Sequence, residues 1–95
     1  MEKDWKERLR RLLEEFRAHH EGGIRKVYLF GSRVWGKPWR GSDFDLAVEG
    51  NPKTLMHLKE FLEESTFPFE VDVVSLSEVD KRLKCKILEK GERWI

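Results

Sequence analysis

The chain is poor in cysteine and proline, and it contains no long apolar run. Of its 95 residues, one is cysteine and three are proline. The single cysteine, Cys85, cannot form an internal disulfide, and no N-terminal segment has the charged-then-apolar pattern of a signal peptide. No apolar run approaches the roughly 20 residues of a membrane-spanning helix. We therefore expect a cytoplasmic protein with no membrane association.

Neither sign of charge dominates the sequence. The 19 lysines and arginines nearly balance the 18 aspartates and glutamates, for a net charge of +1, and the two signs are interspersed. This distribution provides no large basic face for a duplex, so we expect no direct binding to nucleic acid. A chain of 95 residues has room for one small core, and residues 1–95 are expected to form a single domain.

Apolar periodicity and turn residues predict three helices and three strands. The first helix begins at Trp5, behind the capping pair Asp4 and Glu7, and the second follows Asn51 and Pro52, which are typical of a helix start. The predicted strands span residues 24–30, 43–49 and 69–74, and the last helix spans residues 76–90. This order predicts an α/β (α+β) domain with a small mixed β-sheet flanked by helices.

The most informative stretch is residues 29–46, which read LFGSRVWGKPWRGSDFDL. Gly31 and Ser32 form a turn directly after a strand. A glycine there lets the backbone approach a ligand closely, and the serine hydroxyl adds a hydrogen-bond donor. If a helical turn begins at Arg33, its free N–H groups point at the same place, which suits phosphate oxygens. The stretch therefore predicts a phosphate-binding turn.

Three aspartates are the candidate metal ligands. Asp43 and Asp45 are two residues apart on a strand, so both carboxylates leave the same face of the sheet. Asp72 lies within an apolar strand, where it is either a third ligand or a harmless residue on the exposed face of an edge strand. Mg²⁺ prefers carboxylate oxygens and bridges to phosphates, although carboxylates alone do not separate it from Mn²⁺. Two such ions, if present, support in-line displacement at phosphorus.

Together these residues resemble the signature of the polymerase-β-like nucleotidyltransferase superfamily, which consists of Gly-Ser, a spacer, Asp-x-Asp and a later strand aspartate. The short length resembles the minimal nucleotidyltransferase branch, whose members often pair with HEPN-type partner proteins. The resemblance implies a palm-like nucleotidyltransferase fold for residues 1–95. It places the nucleotide at Gly31, Ser32 and Arg33, and it makes the catalytic metal ligands Asp43, Asp45 and Asp72.

The activity that the resemblance implies is transfer of a nucleoside monophosphate, most simply AMP from ATP, to a hydroxyl of a partner protein. Family members in toxin–antitoxin pairs act as antitoxins that place AMP on a tyrosine of the HEPN toxin. One departure concerns the turn. Family members commonly carry Arg-Gly after Gly-Ser, whereas Trp35 precedes Gly36 here. The role of that arginine is therefore missing or passes to Arg33.

Two other functions stay open at this stage. The first is that of a non-catalytic antitoxin that neutralises a HEPN-type partner by complex formation. The second is that of a regulatory sensor that binds a nucleotide without transferring it. Trp35 and Trp39 are open between packing under the loop, stacking on a base and docking a partner. His19, His20 and His57 are interpreted as surface residues. Cys85 is interpreted as a small, partly buried apolar residue.

Overall fold

The computed structural model of the chain describes residues 5–31 and 44–95. The three predicted helices and the three predicted strands are present, together with a short fourth strand. In chain order the elements are α1 (Trp5–His19), β1 (Ile24–Phe30), β2 (Phe44–Gly50), α2 (Pro52–Glu64), β3 (Val71–Ser75), α3 (Lys81–Lys90) and β4 (Glu92–Arg93). Within these residues no helix has the length and apolar character that crossing a membrane requires.

The four strands form one mixed sheet in the order β3-β2-β1-β4. β1 pairs antiparallel with both β2 and β4, whereas β2 and β3 are parallel. A parallel pair needs a crossover connection, and α2 supplies it between β2 and β3. The predicted architecture, a small mixed sheet flanked by helices, is confirmed. Because β2 and β3 run side by side, residues that the sequence separates by 27 positions meet at the same end of the sheet.

The main core lies between α1, α2 and one face of the sheet. Alternate residues of the strands point to this face, including Leu29, Phe44 and Leu46, which are fully buried. Leu13 of α1 and Leu58 of α2 pack in the same cluster. The apolar stripes of the helices are therefore core, as their spacing predicts. The strand residues in between, among them the candidate aspartates of the described residues, point to the opposite face.

The opposite face of the sheet is covered in part by α3. A second, smaller cluster of buried residues joins Tyr28, Phe30, Ala47, Leu76 and Ile87. Ile87 is the buried residue of α3, and the three strand residues belong to β1 and β2. This cluster anchors α3 over the centre of the sheet and leaves the strand end at Phe30 beside it.

The last helix is shorter than the sequence predicts. The spacing of Ser75 and Glu78 predicted a capping box and a helix from residue 76, but α3 begins at Lys81. Asp80 is its N-cap, and the Asp80 side chain accepts a hydrogen bond of 2.8 Å from the backbone N–H of Leu83. Burial of Leu76 in the second cluster explains the difference. The backbone N–H of Leu76 donates to the carbonyl of Val48, which holds residue 76 against the sheet in a turn.

The C-terminal residues form an edge strand that the sequence did not predict. Tyr28 pairs with Arg93 and Leu29 pairs with Glu92, while the backbone N–H of Trp94 donates to the carbonyl of Val27 at 2.8 Å. The strand is only two residues long and carries two charged side chains, so it lacks the alternation of a predictable strand.

Candidate active site

Gly31 ends β1 in a backbone conformation that favours glycine. Its φ is +84°, in the left-handed region that other residues avoid because of their Cβ. A Cβ built at Gly31 would overlap the carboxylate of Asp45. Two constraints therefore coincide at this position: the turn requires a positive φ, and the neighbouring carboxylate leaves no space for a side chain. The close approach of this backbone to a ligand stays a prediction.

Asp45 stands on the sheet face that α3 partly covers. Its neighbours Phe44 and Leu46 are fully buried in the main core, so strand alternation directs Asp45 to the other side, where Ala47 belongs to the second cluster. Asp45 is the register partner of Phe30 on β1 and is half-buried. The carboxylate therefore lies between the end of β1 and the start of β2, beside the Gly31 backbone.

Asp72 is the direct register partner of Asp45 in the parallel pair of β2 and β3. Register partners in neighbouring strands point to the same face, and neighbouring strands lie about 4.8 Å apart. Val73 is buried in the main core, which confirms that Asp72 faces away from it. Asp72 is exposed, whereas Asp45 is half-buried. The two carboxylates thus form a pair with one member open to solvent.

Carboxylate oxygens in register on neighbouring strands are donors that suit a divalent cation. Two unit charges about 5 Å apart repel by roughly 1 kcal/mol in a water-like environment and by roughly 3 kcal/mol at an effective dielectric constant near 20. Asp72 is exposed, so solvent screening favours the lower value. A hard divalent cation such as Mg²⁺ removes this repulsion, and it commonly takes one or two protein carboxylates while phosphates and water complete its coordination. The donors Asp45 and Asp72 fit such an ion.

Three of the six predicted site residues lie outside the described residues. They are Ser32, Arg33 and Asp43. Their predicted roles at the nucleotide and the metal stay predictions, as do the alternatives for Trp35 and Trp39. The structure brings together the other three, Gly31, Asp45 and Asp72. Among residues 5–31 and 44–95 no group of three or more histidine, cysteine, aspartate or glutamate side chains is arranged to hold a metal ion.

The acidic residues near the pair are arranged differently. Glu70 precedes β3 and is exposed, and its backbone carbonyl accepts a hydrogen bond of 3.0 Å from the N–H of Phe44. Glu49 lies at the far end of β2, where it forms an ion pair of 3.3 Å with Arg25. Neither side chain is a register partner of Asp45. These two glutamates are therefore suitable controls for the charge of the site.

A groove of about 500 Å³ between α2 and β3 does not contain the carboxylates. Its lining includes Leu55 and Met56 of α2 and Val73 and Ser75 of β3, with Glu78 beyond the strand. Neither Asp45 nor Asp72 lines it, and the groove lies towards the opposite end of β3.

Two smaller predictions concern residues away from the site. His20 is half-buried, because its ring stacks on Phe16 with 4.0 Å between centroids, and His57 lies 5.8 Å away. Its interpretation as a surface residue is therefore only partly correct, whereas His19 and His57 are exposed. The prediction for Cys85 is wrong. Cys85 is exposed on α3, because Ile87 rather than Cys85 occupies the helix face that meets the sheet.

No sequence pattern placed α3 near the two carboxylates. The helix passes beside the carboxylate face and carries five basic side chains within ten residues. The corresponding signal in the sequence is the basic stretch KRLKCKILEK, which follows β3 and a short turn. This basic stretch did not stand out, because acidic and basic residues are interspersed along the chain and the net charge is only +1.

Comparison with known proteins identifies the family of the chain. A family model described as polymerase beta, nucleotidyltransferase matches residues 11–94, which is most of the chain. The search among curated proteins found no significant match.

Solved structures show the same fold at low sequence identity. A toxin–antitoxin crystal structure with AMP-PNP is 24% identical, with a TM-score of 0.68 over 90% of this chain and 72% of that chain. The MntA-HepT toxin–antitoxin structure is 21% identical, with a TM-score of 0.61 over 90% of this chain and 68% of that chain. A protein provisionally assigned as a minimal nucleotidyltransferase is 24% identical, with a TM-score of 0.63 over 94% of both chains.

Proposed function

Because the chain belongs to the polymerase beta nucleotidyltransferase family, we propose that it transfers a nucleoside monophosphate, AMP from ATP, to a hydroxyl of a partner protein. The partner is a HEPN-type protein, and the chain is the antitoxin of the pair. The observation that carries the proposal is the register of Asp45 with Asp72 beside the Gly31 turn. Two carboxylates and a tightly approaching backbone are the parts that phosphoryl transfer with a divalent ion requires.

The nucleotide-binding half of the site is the turn after β1. Gly31 allows the backbone to reach the triphosphate without a side chain in the way. Ser32 donates from its hydroxyl, and Arg33 pairs with a phosphate oxygen through its guanidinium. These contacts hold the α-phosphorus in line with the incoming hydroxyl, which lowers the entropic part of the barrier.

The acidic half of the site is formed by Asp43, Asp45 and Asp72, which hold Mg²⁺ or Mn²⁺. The ion, when bound, neutralises charge on the phosphates and activates the attacking oxygen. Asp72 is the exposed member and accepts the proton of the acceptor hydroxyl. The hydroxyl oxygen then forms a bond to the α-phosphorus, the bond from that phosphorus to the leaving oxygen breaks, and pyrophosphate departs.

A partner protein is part of the proposal for a physical reason. Asp72 is exposed, so an acceptor group can reach it from outside the described part of the chain. An acceptor presented by another protein completes such a site. Support comes from the related folds, since one structure contains AMP-PNP in a toxin–antitoxin assembly and another contains the MntA-HepT pair.

The experiment that tests the proposal is a labelling assay with α-labelled ATP, GTP, CTP and UTP in Mg²⁺ or Mn²⁺. The chain is incubated with a HEPN-type partner protein, and both pyrophosphate release and label on protein are measured. We expect label from ATP on the partner and stoichiometric pyrophosphate. The Asp45→Asn and Asp72→Asn variants should lose at least about 100-fold of this rate, because each removes a ligand of the ion.

The matched controls are Glu49→Gln and Glu70→Gln, which remove the same charge from nearby positions that are not in register with Asp45. Both are expected to label the partner at close to the unsubstituted rate. A stable complex with the partner but no label from any nucleotide would instead support a non-catalytic antitoxin. Binding of ATP without pyrophosphate release would support a nucleotide sensor.

A further inference from the structure

The helix α3 crosses the same sheet face that carries Asp45 and Asp72. In the chain it begins after the end of β3. It ends at Gly91, which lies close to the carbonyl of Leu29 near the end of β1. Ile87 packs with Phe30 and Ala47. Phe30 is the register partner of Asp45, and Ala47 is the next residue on the same face of β2. The last two turns of α3 therefore lie directly beside the half-buried carboxylate.

The handedness of the chain decides which flank of α3 faces the carboxylates. β3 and β4 are parallel, because β4 and β2 both pair antiparallel with β1 and β3 is parallel to β2. The connection between them through α3 is a crossover in one sheet, and such crossovers are right-handed. In a right-handed crossover, the flank of α3 that turns towards β2 and β3 carries the residues just before each sheet-facing position.

Lys86 and Lys84 lie on opposite flanks of this helix. The sheet-facing stripe consists of Leu83 and Ile87. At about 100° per residue, Lys86 is about 60° from Leu83 on the side of β2 and β3. Lys84 is about 60° from Ile87 on the side of β4. Both lysines are exposed and both belong to α3, so they differ mainly in the direction that they face.

A ligand in solution can reach Lys86. It is exposed and lines a shallow surface depression on α3 together with Arg82, Glu89 and Lys90. The ammonium group of a lysine is a compact charge at the end of a flexible four-carbon stem, and it binds phosphate groups well. The carboxylate pair next to it repels the phosphates of a triphosphate unless positive charge is supplied from nearby. A cation on the flank that faces the pair meets that requirement.

We propose that Lys86 binds the β- and γ-phosphates of the nucleotide and neutralises the leaving pyrophosphate. This inference rests on the proposed function, because it assigns a further residue to the same nucleotide site. In the sequence, Gly31 precedes the two aspartates and Lys86 follows them. Helix α3 crosses the sheet face and brings Lys86 beside the carboxylates. The triphosphate is then held between the turn after β1 and the flank of α3.

The test measures nucleotide binding by calorimetry rather than transfer. The probes are ATP, AMP and inorganic pyrophosphate, each with Mg²⁺, and the variants are Lys86→Ala, Lys86→Arg and the matched control Lys84→Ala. Lys86→Ala should weaken ATP and pyrophosphate by roughly 10- to 100-fold, the effect of losing a charged hydrogen bond, and should change AMP by less than about twofold. Lys86→Arg should recover most of the affinity, and Lys84→Ala should match the unsubstituted chain.

Thermal unfolding without ligand separates this role from a structural one. Equal loss of ATP and AMP affinity in Lys86→Ala, or loss only in parallel with a lower unfolding temperature, would overturn the proposal. Unchanged ATP affinity would overturn it as well, while leaving the proposed transfer reaction intact. If the unsubstituted chain binds ATP but transfers nothing, the proposed function fails and the assignment of Lys86 is still decided by the AMP comparison. If it binds no nucleotide, both fail.

Discussion

Asp45 and Asp72 occupy the same register position in two neighbouring parallel strands. The sequence separates them by a helix and a loop, and the crossover through α2 returns the chain so that β3 begins beside the start of β2. Parallel register therefore creates the carboxylate pair, with Asp45 half-buried and Asp72 exposed. The electrostatic cost of this pair and its relief by a cation lead to the first prediction.

Mg²⁺ should stabilise the folded chain through Asp72. An ion that binds only the folded state adds about 2.7 kcal/mol at a hundredfold excess over its Kd. Without metal, Asp72→Asn should change the free energy of unfolding by less than about 1 kcal/mol, because the side chain is exposed and one repulsion is removed. With metal, the variant should show little further stabilisation. Denaturant unfolding with Mg²⁺ or with EDTA measures both quantities.

The control for this prediction is Glu70→Gln, two residues before Asp72 and also exposed. It should respond to Mg²⁺ like the unsubstituted chain. Equal stabilisation of the Asp72→Asn variant by Mg²⁺ would show that the ion binds elsewhere, and the pair would then not be a metal site.

Substitutions at Gly31 and Gly22 distinguish two reasons why a position requires glycine, which are a positive φ and a lack of space for a Cβ. Both have a positive φ, +84° and +77°, but a Cβ at Gly31 would overlap Asp45 whereas nothing lies within 4 Å of one at Gly22. Gly22→Ala should cost about 1 to 2 kcal/mol from the backbone alone. Gly31→Ala should cost more and should also displace the Asp45 carboxylate. Chemical denaturation and the labelling assay test the two variants side by side.

In that comparison Gly22→Ala keeps transferase activity, and Gly31→Ala loses it even at temperatures where the chain is folded. If the two variants lose equal stability and Gly31→Ala retains full activity, the close approach of Gly31 to Asp45 has no role in the site.

Ile87 and Leu88 test whether α3 is anchored on the site face. Ile87 is fully buried among Phe30 and Ala47, whereas Leu88 is 49% exposed. Ile87→Ala should lower the free energy of unfolding by about 2 to 5 kcal/mol, because it leaves a cavity in the second cluster. Leu88→Ala should change it by less than about 0.5 kcal/mol. Equal effects would mean that α3 packs through a different face, and the assignment of Lys86 would lose its geometric basis.

Much of the fold and half of the site follow from local patterns in the sequence. Strand β1 was predicted with its observed bounds, since its second half is a run of β-branched, aromatic and apolar residues that stops at Gly31. The cap at Asn51 was predicted from the Asn-Pro pair, and the Asn51 side chain accepts a hydrogen bond of 2.9 Å from the N–H of Lys53. These features depend on neighbours in the chain, so the sequence contains them directly.

The missed features depend on contacts between distant residues. No local pattern indicates that Leu76 turns towards Val48 or that Glu92 pairs with Leu29. The pairing of Asp45 with Asp72 was only a conditional prediction, because strand order is not visible in residue spacing. The position of α3 was not predicted for the same reason. Which flank of the helix faces the carboxylates depends on the handedness of the crossover.

The start of α3 gives a prediction that decides between the local and the tertiary interpretation. A helix that began at residue 76 would use Glu78 as the second member of a capping box with Ser75. In the structure Asp80 is the cap, with a hydrogen bond of 2.8 Å from the N–H of Leu83. Asp80→Ala should therefore lower the free energy of unfolding by about 1 kcal/mol, whereas Glu78→Ala, at an exposed turn position, should have an effect below about 0.5 kcal/mol. Urea unfolding of the two variants measures the difference, and the reverse ranking would place the helix start at residue 76 and lengthen α3.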